Sequence, residues 1–466
     1  MIYFLLLLSQ LFCNTLYIPN DYNSIQSGIN NASSGDTIIV NPGIYFENIT
    51  IDNKVLFIMS ANGPDSTIID GSPNYSPVIS FNNIMESPIE ISGFTIQNGT
   101  GEFIENSSFG GGILSKNSVS RLTGLIIKNN TAFAGGGICY YSQNLINDIS
   151  FISNSIINNN LASEGGGIFA VNHNININGT NIENNGMDLF GSGGGIQILL
   201  SNISISHTNI SNNETRFGGG IYISNSNGAL YNTTISNNYS DSKGGGLWIG
   251  GNSTIDLNKL LISNNQSIGF GGGAFISNSN LNIINSTIVE NIISPNVLGA
   301  GLYMDGGNAE IINSIIYYNR QENSEDTIYN LGGYSANNFI EYNITYSNIE
   351  GDDNWIANGI GNISTSPLFV DLINDDYHLL YNSPCIDTGS PIYIDPDATI
   401  SDMGAFYYNQ NNTGDLNDDE IIDIIDVILL INLILEDEYS SIGDINLDGT
   451  LNVQDAIIMI SIILSI

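Results

Sequence analysis

The sequence predicts a mainly β protein: a right-handed parallel β-helix solenoid with three strands per coil, followed by a small all-α domain. Three observations predict it. Gly-Gly-Gly triplets begin at Gly110, Gly135, Gly165, Gly193, Gly218, Gly244 and Gly271, and a degenerate Gly299-Ala300-Gly301 follows, at intervals of 25, 30, 28, 25, 26, 27 and 28 residues. Such a period marks a solenoid, whose repeats bury a core only by stacking. Asn pairs (Asn129-Asn130, Asn159-Asn160, Asn184-Asn185, Asn212-Asn213, Asn237-Asn238, Asn264-Asn265) precede the triplets, and alternations such as Ile221-Tyr222-Ile223 and Thr234-Ile235-Ser236 follow them. Alternation with period two means strands, not helices. Finally, composition changes near residue 410, beyond which one twelve-residue loop occurs twice, each copy leading into an apolar stretch of helical length.

In chain order, residues 1–15 come first. Ile2 to Phe12 is an apolar core followed by small or polar residues. It is too short to span a bilayer and reads as a secretory signal peptide cleaved near Thr15, which implies an extracellular protein. Nothing else is long and apolar enough to cross a membrane. The β-helix domain is expected over 16–409, with a capping segment at 16–71, coils over about 94–320 and an exit segment at 321–409. Within the coils, triplet glycines allow positive φ and close approach of backbones at a corner. Asn tolerates the left-handed conformation and can stack in amide ladders along a solenoid.

Aligning the coils on their triplets produces columns. The first residue after each triplet is Ile113, Ile138, Ile168, Ile196, Ile221, Leu247, Ala274 or Leu302, an inward-facing set. The next residue should point outward, since strand side chains alternate; that column is Leu114, Cys139, Phe169, Gln197, Tyr222, Trp248, Phe275 and Tyr303. Sugar rings pack on aromatic faces, so Phe169, Tyr222, Trp248, Phe275 and Tyr303 form a candidate glycan platform, with a sheet-stabilising ladder as the alternative. Around the residues preceding the triplets gather Glu164, Glu214, Arg216, Asp241 and Lys243, the candidate catalytic edge. Loop-tip charges in solvent are the simpler account of the same five.

The tandem loops, starting at Asp415 and Asp444, carry oxygen-bearing side chains at positions 1, 3, 5, 9 and 12. A hard cation such as Ca²⁺ needs that spacing, with position 7 lending a backbone carbonyl. Two Ca²⁺ sites are therefore expected. Each loop is followed by a predicted helix, Val427 to Leu435 and Ala456 to Leu464.

Residues 410–466 thus resemble a type I dockerin, an EF-hand-like loop-helix module that tethers secreted proteins, often polysaccharide-degrading enzymes, to a cohesin on a scaffold. The resemblance implies as ligands Asp415, Asn417, Asp419, the Ile421 carbonyl, Asp423 and Asp426, then Asp444, Asn446, Asp448, the Thr450 carbonyl, Asn452 and Asp455. Glu420 stands where the pattern has the glycine that Gly449 supplies in the second loop. The repeat region resembles the pectin-lyase type of β-helix, and its Gly/Asn repeats are similar to those of polymorphic outer-membrane proteins. Both ends carry patterns common in such proteins: Gly35-Asp36-Thr37-Ile38 and Pro42-Gly43-Ile44-Tyr45 near the start, and Pro367-Leu368-Phe369-Val370-Asp371 and Ser383-Pro384-Cys385-Ile386-Asp387 near the exit.

Formal charge is −38, from 46 acidic and 8 basic side chains, which repels phosphate backbones and excludes nucleic acid as a partner. Cys139 and Cys385 lie too many coils apart for a disulfide. The motifs of polygalacturonases, pectin methylesterases and uronate lyases are absent; His173, His207 and His378 sit in Asn-His-Asn, Ser-His-Thr and Tyr-His-Leu. Two readings follow. One is a secreted, noncatalytic β-helix that binds polysaccharide or a cell surface and is tethered through its calcium module to a cohesin or other scaffold. The other is a scaffold-borne polysaccharide hydrolase or lyase.

Overall fold

The computed structural model describes residues 13–85, 87–104, 106–324, 330–333, 340–351, 359–380, 382–409, 414–417, 421–436, 438–440, 442–446 and 449–465. Residues 1–12, most of the expected signal peptide, lie outside this set. Over the repeat region the chain winds as a right-handed solenoid of parallel strands. Among the described residues these form sheets of 20, 12 and 7 strands. The parallel sheets number three, but many coils hold four strand segments where the sequence predicts three. The first sheet is bent along its length and takes two segments of each coil, for example Ile221–Ser224 and Asn227–Tyr231. Thr234–Ser236 then joins the second sheet and Tyr239–Lys243 the third. Three strands per coil therefore becomes four segments over three sheets, because the first sheet takes two segments of each coil.

Register fixes the core. Ile196, Ile221, Leu247, Ala274 and Leu302 pair in succession and all are buried. One apolar cluster runs unbroken from Ile18 to Ile349. At each corner the Asn pair divides its labour. The first member takes positive φ (Asn212 at 55°, Asn237 at 57°). The second is buried and extends a ladder: Asn213 Nδ2 donates to Asn238 Oδ1 at 3.0 Å and to the Ile182 carbonyl at 2.9 Å, and Asn238 repeats this with Asn265 and Ile210. Within a triplet the glycines serve different ends. Gly218 has φ of 64°, whereas a Cβ on Gly219 would stand 2.4 Å from the carbonyl oxygens of both Gly245 and Tyr239. Coils approach too closely there for any side chain.

The first coil is capped by a short helix, Ile25–Asn31, whose Ile25 and Ile29 close the apolar core. Ser24 and Ser27 form a reciprocal N-terminal cap, the Glu47 carboxylate accepts the Ile25 and Gln26 N–H groups at 2.9 Å, and Lys54 Nζ donates to the Ile29 and Ala32 carbonyls at the other end. The exit segment folds back along the outside. Its antiparallel strands Phe369–Asp371 and Asp376–Leu379 bury Phe369, Tyr377, Leu379, Cys385 and Met403 against Val289, Ile315 and Tyr317 of the second sheet. Cys139 and Cys385 are both buried and free, as the expected distance requires.

The C-terminal region holds two helices, Ile424–Glu436 and Val453–Ser465, packed through Val427, Leu430, Ala456 and Met459. Each starts three residues earlier than the sequence pattern suggests, because the loop's ninth side chain caps it. Asp423 Oδ1 accepts the Ile425 N–H at 2.6 Å and Asn452 Oδ1 the Gln454 N–H at 2.8 Å. No described helix is long and apolar enough to cross a membrane.

Candidate functional site: C-terminal loops, aromatic ladder and charged edge

The outward column is not an open platform. Leu114, Cys139, Phe169, Gln197, Phe275 and Tyr303 are buried, and only Tyr222 and Trp248 stay half-exposed. Two contacts cover it. The residues before two of the triplets lean across the corner: Phe270 packs 4.3 Å from Tyr303, and the Lys243 ammonium sits 4.5 Å above the Phe275 ring centre. The rings also stack on one another, Tyr222 on Trp248 at 4.1 Å and 6°, Trp248 on Phe275 at 6.3 Å and 20°, Phe275 on Tyr303 at 5.6 Å and 7°. Their faces are thus turned along the solenoid axis and occupied by neighbours. A sugar packs on a ring face, not an edge, so the stripe serves as an internal ladder joining coils. Phe169 lies apart, in a small cluster with Leu114, Ala134 and Cys139.

The five candidate catalytic residues do not all meet: Glu214 and Arg216 lie on the strand beside that of Asp241 and Lys243, whereas Glu164 lies two strands before Glu214 and Arg216. Register pairs Glu164 with Ser192, Ser192 with Phe217 and Phe217 with Lys243. Glu164 and Lys243 are thus three strands apart, about 14 Å. Lys243 is committed to aromatic rings, and the exposed Arg216 lies over Phe217 at 5.1 Å. Asp241 and Glu214 flank Tyr239, whose hydroxyl is raised above its ordinary pKa first by burial and then by these carboxylates. The expected catalytic edge is a half-exposed rim.

The histidines are separated too. His173 is fully buried in a polar pocket, stacked on Tyr140 at 4.7 Å with Ser150 Oγ 2.8 Å from Nε2, and burial pulls its pKa down to about 4. It holds the long strand Ile138–Ser153 against its neighbour.

In the two C-terminal loops, the carboxylates at positions 1 and 12 are buried in both copies: Asp415, Asp426, Asp444 and Asp455. Asp426 accepts N–H groups from Leu416 at 2.8 Å, Asn417 at 3.3 Å and Asp423 at 2.8 Å; Asp455 accepts those of Asn446 at 3.3 Å and Asn452 at 2.9 Å. Each loop is thereby wrapped around its last carboxylate. Gly449 takes positive φ of 80° at the turn and donates its N–H to Asp444 Oδ2 at 2.8 Å. Asp419 and Asp448, with Glu420, lie outside the described residues. Among the described residues no cluster of three or more His, Cys, Asp or Glu is gathered around a point. The donor set still fits a hard divalent cation: buried carboxylates stand in pairs, and no Lys or Arg follows Arg320.

One cluster was not legible in the sequence. Tyr377 Oη lies 2.8 Å from Glu290 Oε2 and 3.0 Å from Asp375 Oδ1, its one proton serving either carboxylate, Asn264 Nδ2 reaches Asp375 at 2.8 Å, and Arg320 lies 3.8 Å from Glu290. These residues are up to 113 positions apart in sequence and meet only because the exit segment folds back. They clamp that segment onto the coils.

No protein-family model and no curated protein sequence matches the chain. Three solved structures share part of its backbone course. Pectate lyase Pel9A is 13% identical with a TM-score of 0.41, over 85% of this chain and 96% of that one. A polygalacturonase from Erwinia carotovora ssp. carotovora is 13% identical with a TM-score of 0.26, over 70% and 96%. Rice weevil pectin methyl esterase is 13% identical with a TM-score of 0.22, over 70% and 88%. Similarity at this level bears on no residue and no activity of this chain. Its own strand pairing defines the class, a parallel β-solenoid with a C-terminal pair of loop-helix repeats.

Proposed function

We propose that the protein is a secreted, noncatalytic, glycan-associated β-solenoid held in place by a C-terminal module that folds around two calcium ions in the manner of a dockerin. The observation that carries this is the set of four buried carboxylates, Asp415, Asp426, Asp444 and Asp455, in a segment with no basic side chain. Burying such charges is costly unless a cation balances them. The separation of Glu164 from the other four candidates, and the engagement of Lys243 with aromatic rings, support the noncatalytic part. Ile424, Ile428, Val453 and Ile457 are exposed on the two helices, an apolar surface suited to a scaffold partner such as a cohesin.

Calorimetric titration of the full chain with Ca²⁺ tests the reading. Two binding events are expected, one lost in Asp426→Asn and the other in Asp455→Asn. At a calcium concentration a hundred times Kd the module should gain about 2.7 kcal/mol per site, and chelator should make it the first segment cut by chymotrypsin. Absence of calcium heat, with a digestion pattern indifferent to chelator, would overturn it.

A further inference from the structure

We infer that a groove across the first coils, centred on Arg121, is the glycan-binding site, and that its ligand is a neutral polysaccharide; this rests on the glycan-associated reading above. Strand register places Phe57, Glu90, Arg121 and Phe151 side by side on the outer face of the first sheet. The intervening Ile58, Ile91, Leu122 and Ile152 point into the core. The four outer residues therefore form a line of aromatic, acid, base and aromatic, spanning three strand spacings, about 14 Å. That is the length of a short oligosaccharide.

The line lies in a depression. Cavities of about 400 Å³ and 330 Å³ open on either side of Arg121, which lines both. Phe151, Met85 and Ile149 give one an apolar wall, Phe57 and Met59 the other, with Asn147 and Asp148 at the first rim. Arg121 is half-exposed, its guanidinium 4.8 Å above the Phe151 ring centre and its Nε 3.7 Å from Glu90 Oε1. At that distance the ion pair is loose, leaving guanidinium N–H groups and carboxylate oxygens for vicinal hydroxyls. With the Arg121 guanidinium over one face of Phe151, the apolar walls left to a sugar are chiefly Met85 and Ile149 on one side and Phe57 and Met59 on the other; planar polar groups between such walls suit a sugar ring, which has polar edges and apolar faces.

Charge selects the ligand class. Glu90 and Asp148 flank the single cation, and the chain as a whole carries −38. A polyuronate would meet carboxylates on both sides and long-range repulsion beyond them. A neutral chain meets neither.

Affinity electrophoresis of the full chain provides the test, in native gels containing xyloglucan, galactomannan or mixed-linkage β-glucan, with polygalacturonate as the anionic arm. Retardation is expected in at least one neutral gel. Arg121→Gln and Phe151→Ala should weaken it roughly tenfold or more, the factor implied by losing charge-assisted hydrogen bonds, whereas Asn282→Ala, farther along the same face, should not. Both variants replace half-exposed side chains, and unchanged thermal unfolding confirms that they fold. Undiminished retardation of both variants overturns the groove and leaves glycan association standing. Retardation by polygalacturonate alone overturns the neutral class. Free migration of the wild type in every gel overturns the groove together with the reading it rests on.

Discussion

Gly219→Ala isolates what the triplets do. Gly219 has no positive φ, so its cost is steric: the added Cβ would lie 2.4 Å from the carbonyl oxygens of Gly245 and Tyr239, and 2.7 Å from the Tyr239 carbonyl carbon. Overpacking costs about 1–3 kcal/mol where side chains can give way. Here the obstacles are backbone groups of hydrogen-bonded coils, so the loss should reach about 3 kcal/mol or more. Gly124→Ala is the matching control. Gly124 has φ of 60° and nothing within 4 Å of its would-be Cβ, so its cost is conformational alone, about 1–2 kcal/mol. Urea unfolding followed by tryptophan fluorescence compares the two, since Trp248 sits in the coil after Gly219. Equal destabilisation by both variants would refute the argument that close approach of coils, rather than backbone conformation, demands the middle glycine.

Three further outcomes are expected. Asn238→Leu removes four buried hydrogen bonds, to Asn265, Ile210 and twice from Asn213, at about 1 kcal/mol each; a loss below about 1 kcal/mol in urea unfolding would contradict the ladder's structural weight. Trp248→Ala should cost about 2 kcal/mol through lost stacking while leaving polysaccharide retardation unchanged; weakened retardation with intact stability would restore the platform. Burial lifts Asp402 to about 6 and also raises Asp395. Because the folded state holds the proton more tightly, the stability Asp402 contributes is complete below about pH 4 and lost as pH rises through 6, about 3 kcal/mol. Asp402→Asn should flatten that slope in unfolding measured between pH 4 and 7, and an unaltered slope would reject the assignment.

The solenoid was legible because its signals recur. The triplets mark a corner, the inward residue after each is always apolar, and the second Asn of each pair falls where a ladder requires it. The covering of the outward column was not legible. Alternation told which side of the strand Trp248 and Phe275 occupy, but not that Lys243 and Phe270, one turn of chain earlier, would lie across that side. A paired strand before each triplet was missed for the same reason: Tyr239–Lys243 is short and polar, and its register is set by neighbouring coils. The groove at Arg121 escaped notice because Phe57 and Glu90 precede the first triplet while Arg121 and Phe151 stand 9 and 14 residues after the end of theirs, so no fixed offset aligns the four. In the C-terminal module the repeated loop and the helix after it were plain from the sequence, whereas the capping role of Asp423 and Asn452 emerged only with the helices.

The amide ladder makes the molecule a ruler. Each rung from Asn130 to Asn319 meets the same partners, a carbonyl on one side and the next amide on the other. An interior coil can therefore be duplicated or deleted as a unit and the chain rejoined with every rung still matched. The distance between the capped first coil and the folded-back exit then changes in steps of about 4.8 Å, with neither end redesigned. Gene-level copy number becomes physical length, and reach can be varied without touching whatever the two ends hold.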